Sequence, residues 1–442
     1  MRNKTRFNFV FIGAGSASFT VGLLRDILSE GFITAGEIRL VDTNPEALDK
    51  AYGAARSMIK SARKDFLVSK HLDFNRAVPG ADFVFFTFVT GGFPSWKTDI
   101  DICSKHGVSQ SVGDTIGPGG IIRAIRNVPV VYEVCRAMEQ HAPEAWVINY
   151  SNPEGALCLA IEKYTKIRAF GLCHGTPDTV RDLAANVFRV PADSLKYRAA
   201  GVNHLTWITQ LEIGGVDVYP DLPGLLKETG YDKKEPISAQ LFDVFGLYPA
   251  PGDRHVGEFF PFYMKEQVLR EMDYTWKNAD MKMLEEWRTA SFTQVDRLIS
   301  GEIDYKAVNK TNETSTHFMR ALAAGTNETV LEMANVINKS YIENISDGII
   351  VEIPVFVDSF GLHPQKIGKL PQGIAAKCDA IGREYNLIVD AAIHRDRSLA
   401  LQAMTLDPLA ANCPYPERLL DELIEAYLPL LPEGWKTQSS RG

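Results

Sequence analysis

The sequence predicts an α/β protein, with an N-terminal doubly wound parallel sheet followed by a second, mixed α+β domain. Three observations predict it. Apolar strands alternate with helical stretches from the start of the chain, the spacing that builds βαβ units. The strands are continuous apolar runs, such as Phe83 to Phe86, as expected of strands buried on both faces. After about Ala200 the texture changes to alternating segments and longer helical ones. Length agrees, because 442 residues exceed what one hydrophobic core ordinarily serves. The expected division is residues 1–200 and 201–442.

The elements follow in order. Residues 9–12 form the first strand. Residues 19–29 form a helix with Leu23, Leu24, Ile27 and Leu28 on one side. Residues 37–41 are a second strand, and 45–68 a long helix. Residues 82–87, 146–150 and 169–172 are the third, fourth and fifth strands. Beyond them, 207–218 alternates like antiparallel strands, and 350–356 is another strand. Residues 279–299, 316–324 and 373–406 read as helices of a domain that closes over the first.

The first strand runs into Gly13-Ala14-Gly15-Ser16-Ala17-Ser18. This fits the G-x-G-x-x-G/A fingerprint of a Rossmann-type dinucleotide site, with Ser18 in the third position. Gly13 permits the tight turn, Gly15 leaves room for a pyrophosphate, and Ser18 is small enough for helix and strand to pack closely. The helix that follows directs free N–H groups at the phosphates. Asp42 ends the second strand, where an acid binds the adenosine ribose and repels a 2′-phosphate, favouring NAD over NADP. Gly13, Gly15, Ser16, Ser18 and Asp42 are the candidate cofactor-binding residues.

Composition narrows the partners. A net charge of −8 without basic runs argues against nucleic acid. No stretch of about 18 apolar residues suggests a membrane span. The basic N-terminus leads straight into a buried strand, so no signal peptide is expected. Six scattered cysteines fit a reduced, cytoplasmic chain better than a disulfide framework.

Strands four and five end in polar groups: Asn149-Tyr150-Ser151-Asn152-Pro153 and Cys173-His174-Gly175. In doubly wound sheets ligands lie beyond the carboxyl ends of the strands. Gly201-Val202-Asn203-His204 precedes an aromatic strand. A thiolate with an imidazole suits a divalent transition metal and leaves positions open for substrate oxygens.

This ordered set, from the Gly13 loop through Asn152-Pro153, Cys173-His174-Gly175 and Gly201 to His204, resembles glycoside hydrolase family 4. The segments Gly113 to Arg123 and Pro251 to Phe259 are similar to those of its α-galactosidase and α-galacturonidase members. The resemblance implies a catalytic NAD and a divalent metal, usually Mn2+. It implies oxidation of the sugar at C3, elimination across C1–C2, addition of water and re-reduction. It makes Cys173 and His204 the metal ligands, and places Asn152 and Asn203 near sugar hydroxyls. His174 would protonate the leaving oxygen or bind a hydroxyl. His255 would be the C2 base, with Tyr263 in reserve. Arg254 would hold a sugar carboxylate or make a surface ion pair. Trp96 occupies the position where phospho-sugar members carry an arginine, and this speaks against a phosphorylated substrate. The expected substrate is an α-linked galacturonide or galactoside, and the expected assembly a homodimer or homotetramer. The alternatives are an α-glucosidase or α-glucuronidase of the same family, a lactate- or malate-type dehydrogenase, and an NAD-sensing protein without activity.

Overall fold

The computed structural model describes residues 4–271, 281–311, 313–323 and 328–435. Its strands are β1 (Arg6–Ile12), β2 (Ala35–Val41), β3 (Asp65–His71), β4 (Phe83–Phe86), β5 (Trp146–Asn149) and β6 (Arg168–Gly171). They continue with β7 (Leu195–Val202), β8 (Leu205–Ile213), β9 (Val216–Asp217), β10 (Tyr248–Ala250), β11 (Val330–Ile337), β12 (Ile350–Asp358) and β13 (Gly361–Pro364). One sheet holds them in the order β3-β2-β1-β4-β5-β6-β11-β12-β7-β8-β10, with β13 beside β12 and β9 beside β8.

The first six strands pair in parallel. Their order is the doubly wound, Rossmann-type one, whose switch point lies between β1 and β4. From β6 outward every pairing is antiparallel. The later strands therefore extend the first sheet. Aromatic side chains pack the central strands together: the rings of Phe11 on β1 and Phe85 on β4 stack with centroids 4.6 Å apart. Two groups of helices accompany the sheet. Ala17–Ser29, Pro45–Ala62 and Met281–Ser300 pack together in one, and Gly117–His141, Glu154–Tyr164 and Gln372–His394 in the other.

Several boundaries differ from the sequence reading. The helix expected over residues 45–68 ends at Ala62, where Arg63 caps it in the left-handed conformation (φ 55°). Residues 65–71 are instead the edge strand β3, whose exposed Asp65 and Leu67 mix polar and apolar positions and blur its period. The helices Gly92–Lys105 and Gly117–His141 were not anticipated. In the second of these Pro118 is tolerated in the first helical turn, where its missing N–H costs nothing. Of the later helices, residues 279, 280 and 324 lie outside the described residues. Residues 373–406 form two helices separated at Arg395 and Asp396, and the Asp396 carboxylate caps the second by accepting from the Ser398 and Leu399 N–H groups.

Candidate active site

The glycine loop closes over the end of the sheet. The Gly13 and Ala14 N–H groups both donate to the Val41 carbonyl at 2.9 Å. Gly13 has φ +91°, and a Cβ there would lie 2.5 Å from the Phe88 Cβ, so only glycine fits beneath the chain leaving β4. The Gly15 N–H donates to Asp42 Oδ2 at 2.7 Å, and Asp42 Oδ1 accepts from the Asn44 N–H at 2.8 Å. A Cβ on Gly15 would meet that Asp42 oxygen at 2.7 Å and the Ala47 Cβ at 2.8 Å. Its bareness therefore seats Asp42 against the loop, a second reason for glycine beside space for a pyrophosphate. Ser16 precedes the helix Ala17–Ser29 and makes no side-chain cap, and the first turn carries no acid. The positive end of that helix is left open to an anion. Ser18 lies in the helix, and its side chain falls outside the described residues.

Beyond β4 and β5 a polar cluster assembles. The Asn152 Nδ2 donates to Asp114 Oδ2 at 2.8 Å. The Thr115 hydroxyl donates to Asp114 Oδ1 at 2.7 Å and lies 2.7 Å from His204 Nδ1. A hydroxyl has one hydrogen, so towards His204 it accepts, which fixes the proton on Nδ1 and leaves the lone pair on Nε2. His204 sits in the tight turn between β7 and β8 at φ +63°, a conformation rare for a side chain of this size and costly without a use. Burial pushes its pKa down to about 4, so the ring is neutral. The His255 ring crosses it edge to face, with centroids 4.4 Å apart. Desolvation and the His204 ring push His255 well below the ordinary imidazole range. Burial opposes ionisation of Asp114, but Arg123 first, and then the two imidazoles, hold it low.

Cys173 and His174 follow β6. The Gly175 N–H donates to Cys173 Sγ at 3.3 Å. Desolvation, followed by the charges of Glu352 and Glu154, pushes the Cys173 thiol up. One carboxylate ties this segment to the β7–β8 turn: Glu352, on β12, accepts from Thr176 Oγ1 at 2.8 Å and from Asn203 Nδ2 at 3.2 Å. His174 is half exposed, and its Nδ1 lies 2.8 Å from Oε1 of the buried Glu313. That hydrogen bond raises the His174 pKa. Arg254 donates from Nε to the Ser111 carbonyl at 3.3 Å, and Ser111 Oγ donates to the Arg254 carbonyl at 2.5 Å. Glu258 accepts from the Val112 and Gly113 N–H groups at 2.9 and 3.0 Å. Tyr263 is buried and donates to Gln240 Oε1 at 3.2 Å.

Asn152 and His204 thus meet through Asp114 and Thr115, and Glu352 links Asn203 to Thr176, three residues beyond Cys173. Among the described residues no group of three or more His, Cys, Asp or Glu side chains is arranged to hold a metal. Cys173 offers a sulfur and His204 a bare nitrogen, donor types that suit a divalent transition metal. Sequence reasoning did not single out Asp114, Thr115, Glu313 or Glu352. Glu352 carried a signal, as a charge inside the apolar run of β12.

Among the described residues no helix is long and apolar enough to cross a membrane. The family model for "Family 4 glycosyl hydrolase" matches residues 8–188, and that for its C-terminal domain matches residues 199–410. The chain is 30% identical to an alpha-galacturonidase of Thermoanaerobacterium saccharolyticum, over 97% of each protein. It is 28% identical to an alpha-galactosidase of Bacillus subtilis, over 96% of this chain and 98% of that one. Its fold superimposes with a TM-score of 0.82 on a 6-phospho-alpha-glucosidase from gut microorganisms crystallised with NAD and Mn2+, at 21% identity over 97% and 99% of the two chains. The continuous match of both halves and the whole-length relatives lead to one conclusion: the chain belongs to glycosyl hydrolase family 4.

Proposed function

We propose that this enzyme hydrolyses α-linked galacturonides or galactosides with the help of NAD and a divalent cation such as Mn2+. The observation that carries the reading is the Asp114–Thr115–His204 relay, which presents a bare Nε2 beside His255. Curated relatives named for both substrates support the sugar configuration. Gly13, Gly15, Ser16, Ser18 and Asp42 would hold the dinucleotide, and Cys173 and His204 the cation. When bound, the nicotinamide would take hydride from C3 of the sugar and return it after water has added at C1, and the cation would polarise the transient ketone as a Lewis acid.

The chain's own residues do the rest. His255 is neutral and takes the C2 proton, which the neighbouring ketone renders acidic. His174, hydrogen-bonded to the buried Glu313, gives a proton to the leaving oxygen. Asn152 and Asn203 orient sugar hydroxyls, and Arg254 contacts the substrate. We assign residues 1–200 to cofactor binding and 201–442 to substrate and assembly, with a homodimer or homotetramer in a reducing cytoplasm. The test is release of p-nitrophenol from α-galactoside, α-glucoside, α-galacturonide and α-glucuronide, each with and without NAD+ and Mn2+. Release from a galacto-configured substrate that needs both additives is expected. Release without them, or NADH accumulating on a hydroxy acid and no release, would overturn the reading.

A further inference from the structure

The Gly117–His141 helix carries two buried arginines three residues apart, and they are treated differently. Arg126 is fully paired: its two terminal nitrogens fork onto Asp99 at 2.8 and 2.7 Å, and its guanidinium lies 3.9 Å from the centre of the Tyr427 ring. Arg123 is 4% exposed, yet its Nε and Nη1 are buried without any hydrogen-bond partner. Its guanidinium rests over the Trp96 ring, 4.9 Å from the ring centre, with the Nε and Nη1 donors, one from each of its two forks with Nη2, unused. Among the described residues it makes no ion pair. A buried guanidinium without an acceptor is costly, and the acceptor it matches is a planar carboxylate that takes two N–H groups at once. Arg123 lies in the second turn of the helix that opens just after Asp114 and Thr115, and the Trp96 ring beside it donates from Nε1 to the Val112 carbonyl at 2.8 Å, two residues before Asp114; its charge is the first of those that hold Asp114 ionised. That places the unused donors at the wall of the cluster that joins Asn152 and His204.

We propose that Arg123, stacked on Trp96, is the subsite for the carboxylate of a uronic acid substrate. The inference rests on the reading of the site as a glycosidase centre. It assigns the carboxylate to Arg123 rather than to Arg254, whose Nε already donates to the Ser111 carbonyl. A neutral galactoside has nothing planar and anionic to offer, and leaves the pair of donors unmet.

The test compares p-nitrophenyl α-galacturonide with p-nitrophenyl α-galactoside on the parent, Arg123→Met, Arg123→Lys and Arg254→Lys enzymes. Binding of free galacturonate is measured in parallel by calorimetry. The parent is expected to prefer the uronide. Arg123→Met should lower uronide kcat/KM on the order of 100-fold, mostly through KM, and weaken galacturonate binding likewise. The ratio of the two substrates should move towards the neutral sugar. Arg123→Lys keeps the charge but not the fork, and should fall between parent and Met variant. It serves if the Met variant fails to fold. Equal losses on both sugars would mark Arg123 as merely structural and overturn the proposal. So would a ratio that follows Arg254→Lys instead, or a parent active only on the galactoside. A parent that hydrolyses neither sugar would instead refute the underlying glycosidase reading, and the subsite would fall with it.

Discussion

Thr115→Val isolates the relay that sets up His204. The hydroxyl links His204 Nδ1 to Asp114, at 2.7 Å on each side, within a buried cluster. Valine keeps the branched shape and removes both bonds. The Nδ1–H would then be buried and unpaired, a loss of about 1–3 kcal/mol, and the ring would be free to place its proton on Nε2 instead. Partners of this kind behind a metal ligand are typically worth about 10–100-fold in affinity, and the two figures agree at about 1.4 kcal/mol per factor of ten. The expected result is Mn2+ binding weakened by about one to two orders of magnitude. NAD+ affinity should be unchanged, because the glycine loop bonds to Val41 and Asp42 and the Thr115 hydroxyl to Asp114 and His204. Titration calorimetry and the paramagnetic resonance of free Mn2+ both read this directly. Thr115→Ser, which restores a hydroxyl, should recover most of the affinity. A Val variant that binds Mn2+ as tightly as the parent would refute both the tautomer argument and the role of His204.

Three further outcomes follow. Asp99→Ala strands the Arg126 charge in a fully buried site, and should cost about 3–5 kcal/mol by chemical denaturation; an unchanged midpoint would contradict the pairing. Gly13→Ala combines a Cβ 2.5 Å from Phe88 with φ +91°, and should weaken NAD+ about tenfold or more by calorimetry, whereas parental affinity would place the dinucleotide elsewhere. Burial pushes Glu258 up to about 8, so it folds as a neutral acid. Its stabilising contribution is fully present below the ordinary carboxylate pKa of about 4.3 and is lost as pH rises through about 8. Glu258→Gln should therefore flatten the fall of melting temperature between about pH 5 and 8, and parallel profiles for parent and variant would argue against it.

The parallel half of the fold was legible because its strands are buried on both faces and write themselves as apolar runs. β3 was not, since an edge strand need only bury one side and its charges imitate a helix surface. The extension of the sheet by β11, β12, β7 and β8 was equally hidden. It depends on pairings such as Asn335 with Gly171 and Glu352 with Gly201, between segments far apart in the chain. The site divides in the same way. Gly13 and Asp42 lie in a short motif whose spacing carries chemical meaning, whereas the metal role expected of Cys173 and His204 came from the family resemblance. Thr115 reaches His204 across 89 residues, and Glu352 reaches Thr176 across 176, so neither role has a local trace. Arg123 stood inside a recognised segment, but only its missing partners distinguish it from Arg126.

The proposed route hydrolyses the glycoside through loss of the C2 proton rather than by direct displacement at C1. Hydrolysis of the α-galacturonide or α-galactoside in D2O, with NAD+ and Mn2+, followed by NMR of the released sugar, tests it most directly. Deuterium is expected at C2 of the product, with His255→Ala suppressing its incorporation and the release together. A product that keeps its full complement of hydrogen at C2 would contradict it.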